Sequence, residues 1–282
     1  MVKNNIPSLL ISFRFFLFMS LVFINCNNSG TTVKKDIKLT PPKISSVAAD
    51  SLRQLIAENP DSVVYRQQLI QQLEQDNQID EAIKQNDTLL QKIGNSAVIW
   101  LNRATLLEDK NDTANAILSY EKAIALQNPF PEAQVRLAKL YAETKNPKAL
   151  QIVDFMSRNQ QAFGYELDLI MIRGVYYRNI KDFDKALASF DQCINDKYTF
   201  LEAYIEKGSL LYDLKKYKES IAVFEKATTV NNIFADGYYW IAKNQEALND
   251  IKEATDNYKR ALALDQGFTE AREALKRLGV IK

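Results

Sequence analysis

The sequence predicts an all-α fold in which similar helix pairs are stacked in a row, in place of one closed core. Two observations carry that expectation. A phrase made of a small residue, an aromatic four places on and a second small residue three beyond returns as Ala116/Tyr120/Ala123, Ala186/Phe190/Cys193, Ser220/Phe224/Ala227 and Ala254/Tyr258/Ala261. Self-similarity at a period near 34 residues marks an array of supersecondary units. The 282 residues are 46% hydrophobic and 25% charged, ample for a sizeable core, and the repetition favours one elongated domain over two compact ones. Arrays of this kind usually bind and seldom catalyse.

Charge and residue usage narrow the function classes. The net charge is +1, from 36 basic and 35 acidic residues; without Lys3 and Arg14 of the first 25 residues the balance is 34 against 35, so nothing favours nucleic acid. Histidine is absent, which removes the commonest general base and transition-metal ligand. There is no Gly-rich phosphate loop, no Cys or His metal spacing and no nucleophile with a plausible base, and the eight glycines are dispersed. The paired acids Glu108/Asp109 and Asp182/Asp184 fall at expected helix ends and turns, where exposed carboxylates are ordinary. The chain is therefore expected to be no enzyme and to need no cofactor, metal or small-molecule substrate.

Residues 1–25 read as a signal segment: Lys3 and Arg14 precede the apolar run Phe15–Ile24, which is too short to span a roughly 30 Å bilayer comfortably. The following Asn25-Cys26-Asn27-Asn28 resembles a bacterial lipoprotein signal, which implies cleavage before Cys26 and lipidation of its thiol. Asn25 and Phe23 depart from that family's preferred residues, and an uncleaved anchor or an ordinary secretory signal are the alternatives. Cys193 would then be the one remaining thiol, a small packing residue inside the repeat phrase. Residues 26–50, with Gly30-Thr31-Thr32, Lys34-Lys35 and Thr40-Pro41-Pro42, read as a flexible tether.

Helical periodicity starts at Ser51 and defines the domain 51–282. Leu52, Leu55 and Ile56 make a half repeat over 51–58 that ends at Asn59-Pro60; Val63 to Gln75 and Ile79 to Lys92 form the first pair. The next pair is the clearest: Trp100, Ala104 and Leu107 share one face, Lys110-Asn111-Asp112 turns the chain, and Ala116, Tyr120 and Ala123 lie on the partner helix. Small residues at the crossing let the two helices approach while the aromatic fills the space beside them.

These residues make the chain resemble the tetratricopeptide repeat (TPR) family, a 34-residue helix-turn-helix unit that stacks into a right-handed superhelical solenoid. The packing sites Ala82, Ala116, Ala149, Ala186, Ser220 and Ala254 lie 34, 34, 33, 37 and 34 residues apart, giving about six repeats over residues 61–266. The first helices carry the matching pairs Ala104/Leu107, Ala138/Tyr141, Gly174/Tyr177 and Gly208/Leu211. Repeats one and three are the poorest copies, with Asn86 and Val153 at the aromatic site. Capping helices are expected at both ends, the last over 268–278 with Ala271, Ala274, Leu275 and Leu278 inward and Arg272, Glu273, Lys276 and Arg277 solvated.

The resemblance implies a concave groove lined by first helices, and hence an interaction scaffold that holds another protein or peptide segment. Placing those helices by their small/large pairs puts Asn102, Arg136, Lys139, Met171, Val175, Ile205, Tyr212, Tyr239, Trp240 and Lys243 on that surface, with Leu101, Ile172 and Ser209 on or near it. Aromatics and Met not needed for packing are usual anchors of a binding surface; the alternative is that several of them fill the inner face against neighbouring helices. Some family members grip a C-terminal carboxylate with Lys, Arg and Asn. Asn102 matches one part, whereas Met171 and Ile172 occupy positions where polar residues are required. The combined expectation is a lipid-anchored scaffold of the bacterial cell envelope, at the outer membrane, tethered through Cys26; a self-associating structural subunit is the alternative.

Overall fold

The computed structural model describes residues 46–159 and 161–282. The proposed signal segment, Cys26 and the tether up to residue 45 lie outside the described residues. Among the described residues there are fourteen helices and no strand. Helix α1 (Ser46–Glu58) precedes six pairs: α2 (Val63–Gln75) with α3 (Ile79–Ile93), α4 (Ala97–Asp109) with α5 (Thr113–Leu126), α6 (Pro131–Glu143) with α7 (Lys148–Arg158), α8 (Glu166–Asn179) with α9 (Phe183–Asp196), α10 (Leu201–Asp213) with α11 (Tyr217–Val230), and α12 (Ala235–Ala247) with α13 (Ile251–Leu264). Helix α14 (Thr269–Arg277) closes the stack. Each helix packs on the ones before and after it, the contact pattern of a solenoid.

One boundary moves. Helix α1 starts at Ser46, so residues 46–50, read as the end of the tether, are helical. Ala49 is 1% exposed and packs in one cluster with Leu69, Leu73 and Ala82. It lies 33 residues before Ala82, in phase with the packing alanines, but Arg53 stands where the repeat phrase has its aromatic.

The small residues at the helix crossings are wholly buried: Ala82, Ala116, Ala149, Ala186, Ser220 and Ala254 all have 0% exposure. Ser220 stays satisfied there because its hydroxyl donates to the Gly208 carbonyl at 2.8 Å. Tyr120, Phe190 and Phe224 are also at 0% and Tyr258 at 1%, and burying such a side chain contributes about 1.5–3 kcal/mol. What stands across from the aromatic depends on its type. Tyr120 and Tyr258 belong to repeats whose first helix has Ala104 or Ala242 at the crossing, whereas Phe190 and Phe224 lie directly on Gly174 and Gly208. A Cβ added at Gly174 would meet Phe190 Cε1 at 2.5 Å. The two tyrosines are instead drawn along the first helix, their hydroxyls donating to Glu108 and Glu246.

Each pair is joined by the same turn. Asn77, Asn111, Lys145, Lys181, Lys215 and Asn249 have φ between 59° and 68°, one per repeat. The next residue donates its N–H five residues back, as in Asp112 to Leu107 (2.8 Å), Asp182 to Tyr177 (2.9 Å) and Asp250 to Gln245 (2.8 Å), which is the Schellman closure of a helix. In α5 and α9 that residue then serves as N-cap: Asp112 accepts from the Asn115 N–H and Asp182 from the Lys185 N–H. Asp182, one of the paired acids, thus has a structural task.

Candidate partner-binding face

Direct links between first helices define one face of the stack. Arg136 of α6 reaches Glu108 of α4 at 3.4 Å, and Arg178 of α8 reaches Glu206 and Asp213 of α10 at 2.7 and 2.8 Å. Asn179 of α8 donates to the Ala142 carbonyl of α6 at 3.1 Å. Tyr212 of α10 meets Trp240 of α12 edge-on with centroids 5.7 Å apart, and Arg277 of α14 bonds both carboxylate oxygens of Glu246 on α12. Such links require first helices to approach one another across successive repeats, as α6/α8, α8/α10 and α10/α12 do. That is the inner side of a curved stack.

Of the sequence-derived residues, Arg136, Tyr212 and Trp240 take part in these links, and Tyr239 and Lys243 lie against Trp240. Lys139 is exposed, and Asn102, Arg136, Met171, Val175, Ile205, Tyr212, Tyr239, Trp240 and Lys243 are half-buried. Met171 and Val175 support the clusters around Phe190, and Arg136 is engaged by Glu108 and Glu132. Leu101, Ile172 and Ser209 turn inward and are buried, at 8%, 4% and 6% exposure. For Ile172 the cause is the short α7 of eleven residues, which lets α6 and α8 pack against each other and cover it.

The C-terminal end of the face holds a cavity of about 480 Å³ lined by Tyr212, Tyr239, Lys243, Glu246, Tyr258 and Arg277 among others. Lys243 Nζ lies 4.5 Å from the Trp240 ring centroid, 4.9 Å from Tyr212 and 5.9 Å from Tyr239, a cation held on three π faces. Desolvation there lowers its pKa from the ordinary lysine value, against the pull of Asp213 and Glu246. Burial pushes the Tyr239 phenol up to about 12. At the floor, Tyr258 donates to Glu246 at 2.8 Å while Arg277 grips the same carboxylate. The Arg277 hydrogen bond holds Glu246 below its usual range. Arg277 is exposed, as expected of a cap residue, and also ties α14 to the last repeat. The residue pairs bridging first helices lie 28 or more positions apart, which is why no local pattern revealed them; aligning the repeats one above another would have shown that Glu108, Arg178, Tyr212 and Glu246 share one register.

Cys193 is buried at 0% exposure and unpaired by disulfide, with burial pushing its thiol up to about 12. It is a packing residue of the α9 crossing. Among the described residues no group of three metal-ligating side chains converges, and no helix is long and apolar enough to cross a membrane.

Comparison with known proteins follows the same geometry. The family model described as "Tetratricopeptide repeat" matches residues 97–129, 167–195, 201–233 and 235–268. The unmatched pairs, α2/α3 and α6/α7, are those with Asn86 and Val153 at the aromatic site. The chain superposes on a tetratricopeptide repeat protein from Parabacteroides merdae with a TM-score of 0.67, at 19% identity over 81% of this chain and 90% of that one. It superposes on PilW, a type IV pilus biogenesis factor, with a TM-score of 0.60, at 14% identity over 75% of this chain and 96% of that one. In sequence it is 31% identical to heat shock protein STI1 of Saccharomyces cerevisiae over 96 residues, 34% of this chain. It is 22% identical to tetratricopeptide repeat protein 1 of Schizosaccharomyces pombe over 66% of this chain. The matched stretches span only 16% and 19% of those two proteins. Four segments of this chain, residues 97–129, 167–195, 201–233 and 235–268, therefore match the tetratricopeptide repeat, and the fold of the described residues is the solenoid that such repeats build.

Proposed function

We propose that this protein is a non-enzymatic scaffold that holds an extended or helical segment of a partner protein against the first-helix face of α6 to α12. The observation that carries this reading is the combination, on one face, of half-buried Met171, Ile205, Tyr212 and Tyr239 with a cavity at its end. Repeat proteins present such surfaces for partner binding. The apolar run Phe15–Ile24 followed by Cys26 supports a second part of the reading: the scaffold sits on a bacterial cell-envelope membrane, held by lipid on Cys26.

The two parts have separate tests. Proteins captured from envelope extract by the wild-type chain are compared with those captured by an Ile205→Ser/Tyr212→Ser variant that keeps its helical circular dichroism. Selective loss of a partner in the variant supports the face, and identical recovery contradicts it. For the anchor, intact mass of the mature protein should begin at Cys26 with added acyl chains and the protein should partition with membranes; an unmodified chain beginning at Met1 in the soluble fraction contradicts it.

A further inference from the structure

Aligned on their register, the first helices repeat a two-residue pattern along the partner-binding face. Each of α6, α8, α10 and α12 has an acid in its first turn and an apolar residue three positions later: Glu132/Val135, Asp168/Met171, Glu202/Ile205 and Asp236/Tyr239. Helix α14 continues the acidic row with Glu270. Residues three apart share a helix face, so the pattern makes two parallel rails, one of carboxylates and one of half-buried apolar side chains. An acid in the first turn also complements the helix dipole, and that would suffice for any one of them.

Four of the five charges of the row lack an ion-pair partner among the described residues. Glu132 pairs with Arg136 at 3.5 Å, but among the described residues Asp168, Glu202, Asp236 and Glu270 form no ion pair, Lys139 acting on Asp168 only at longer range. Desolvation raises both Asp168 and Asp236 from the usual aspartate value; Glu202 adds to this at Asp168, where Lys139 partly offsets it, and Asp265 and then Glu270 add to it at Asp236. A chain with 36 basic and 35 acidic residues has thus placed a run of acids, four of them without an ion pair among the described residues, beside a half-buried apolar stripe.

We infer that the segment held by this face is extended and cationic, with Lys or Arg at about every third residue. Charge complementarity selects the sign. The spacing follows from helix and chain geometry: packed first helices are about 8–10 Å apart, and three residues of a polyproline II segment advance about 9 Å and complete one turn. Every third side chain of such a segment faces the acidic rail, and the residues between face Met171, Ile205 and Tyr239.

This inference rests on the proposed partner-binding face, and its test separates the two. Fluorescent dodecapeptides made of four Lys-Pro-Ala or four Glu-Pro-Ala units are titrated by polarisation into the full chain in a non-ionic detergent. The Lys peptide should bind about tenfold or more tighter than the Glu peptide, weaken as salt is raised, and lose about tenfold in affinity to an Asp168→Lys/Glu202→Lys variant of unchanged circular dichroism. A peptide with its four lysines contiguous should bind more weakly than the spaced one. Tighter binding of the Glu peptide, an unchanged affinity in the charge-reversal variant, or no binding of the Lys peptide overturns the inference. The broader reading survives those results if a partner still crosslinks through Ile205, and falls with them if none does.

Discussion

The Trp240 indole lies parallel to the Phe224 ring, their planes 3° apart and their centroids separated by 5.6 Å. Phe224 is the buried aromatic of its repeat, so Trp240 continues the core outward to the binding face and is held by Tyr212 and Tyr239 at its edges. A residue that sequence alone marks as a binding anchor is therefore also a packing residue. Trp240→Ala should cost about 2–4 kcal/mol of stability, whereas Ile205→Ala, outside every buried cluster, should cost under about 1.5 kcal/mol. Urea titration followed by circular dichroism distinguishes the two. Equal losses would remove the structural role assigned to Trp240.

Glu246 joins three helices by accepting from Tyr258 of α13 and from Arg277 of α14. Glu246→Ala leaves both donors without their acceptor and should destabilise the C-terminal repeat by about 1–2 kcal/mol, less when Arg277→Ala is already present. The sign with pH is fixed by Arg277, which holds the Glu246 pKa down in the folded state. The contribution is complete above the unfolded glutamate value of about 4.3 and is lost as pH falls through the lower folded value. Hydrogen exchange should show residues 269–277 losing protection in that acidic window before α4 and α5 do.

Gly174 is required because Phe190 occupies the space of a side chain there. Gly174→Ala gains helix propensity but forces the ring away, and it should cost about 1–3 kcal/mol net. Adding Phe190→Leu should recover part of that loss. A neutral or stabilising Gly174→Ala, measured by thermal unfolding, would show that the crossing has slack.

Lys145, Lys181 and Lys215 occupy left-handed turn positions, where a residue with a Cβ pays roughly 1–2 kcal/mol relative to glycine. Glycine gives part of that back as unfolded-chain entropy, about 0.5–1 kcal/mol. Lys181→Gly should therefore raise stability modestly, and Lys181→Val should lower it. The reverse order in denaturant midpoints would contradict the turn geometry.

How much of this was legible in sequence depends on the range of the interaction. The helix pair α2/α3 could be read to within a residue, because Val63–Gln75 and Ile79–Ile93 are set by local periodicity and by the breaker Asn59-Pro60. Burial of Ala116, Ala186 and Ala254 followed from the repeat phrase. Ser46–Asp50 was misjudged because a single packing residue, Ala49, carries that turn. Whether Ile172 packs or binds could not be read locally, because its cover comes from α6, drawn in by a short α7. The bridges from Arg136, Arg178 and Arg277 were illegible one repeat at a time, since each partner belongs to the neighbouring unit. The acidic row Glu132, Asp168, Glu202, Asp236 and Glu270 was present in the sequence throughout, at intervals of 36, 34, 34 and 34; each acid alone looks like an ordinary helix start.

The central claim is that partners are held on the first-helix face. Its most direct test places a photo-crosslinking amino acid at Ile205 of α10 or at Leu118, a 57% exposed residue of the second helix α5, and irradiates cells producing each full-length variant. The account predicts a discrete covalent adduct from position 205 and none from 118. Adducts from 118 with none from 205 would place the partner on the opposite helix layer and contradict it.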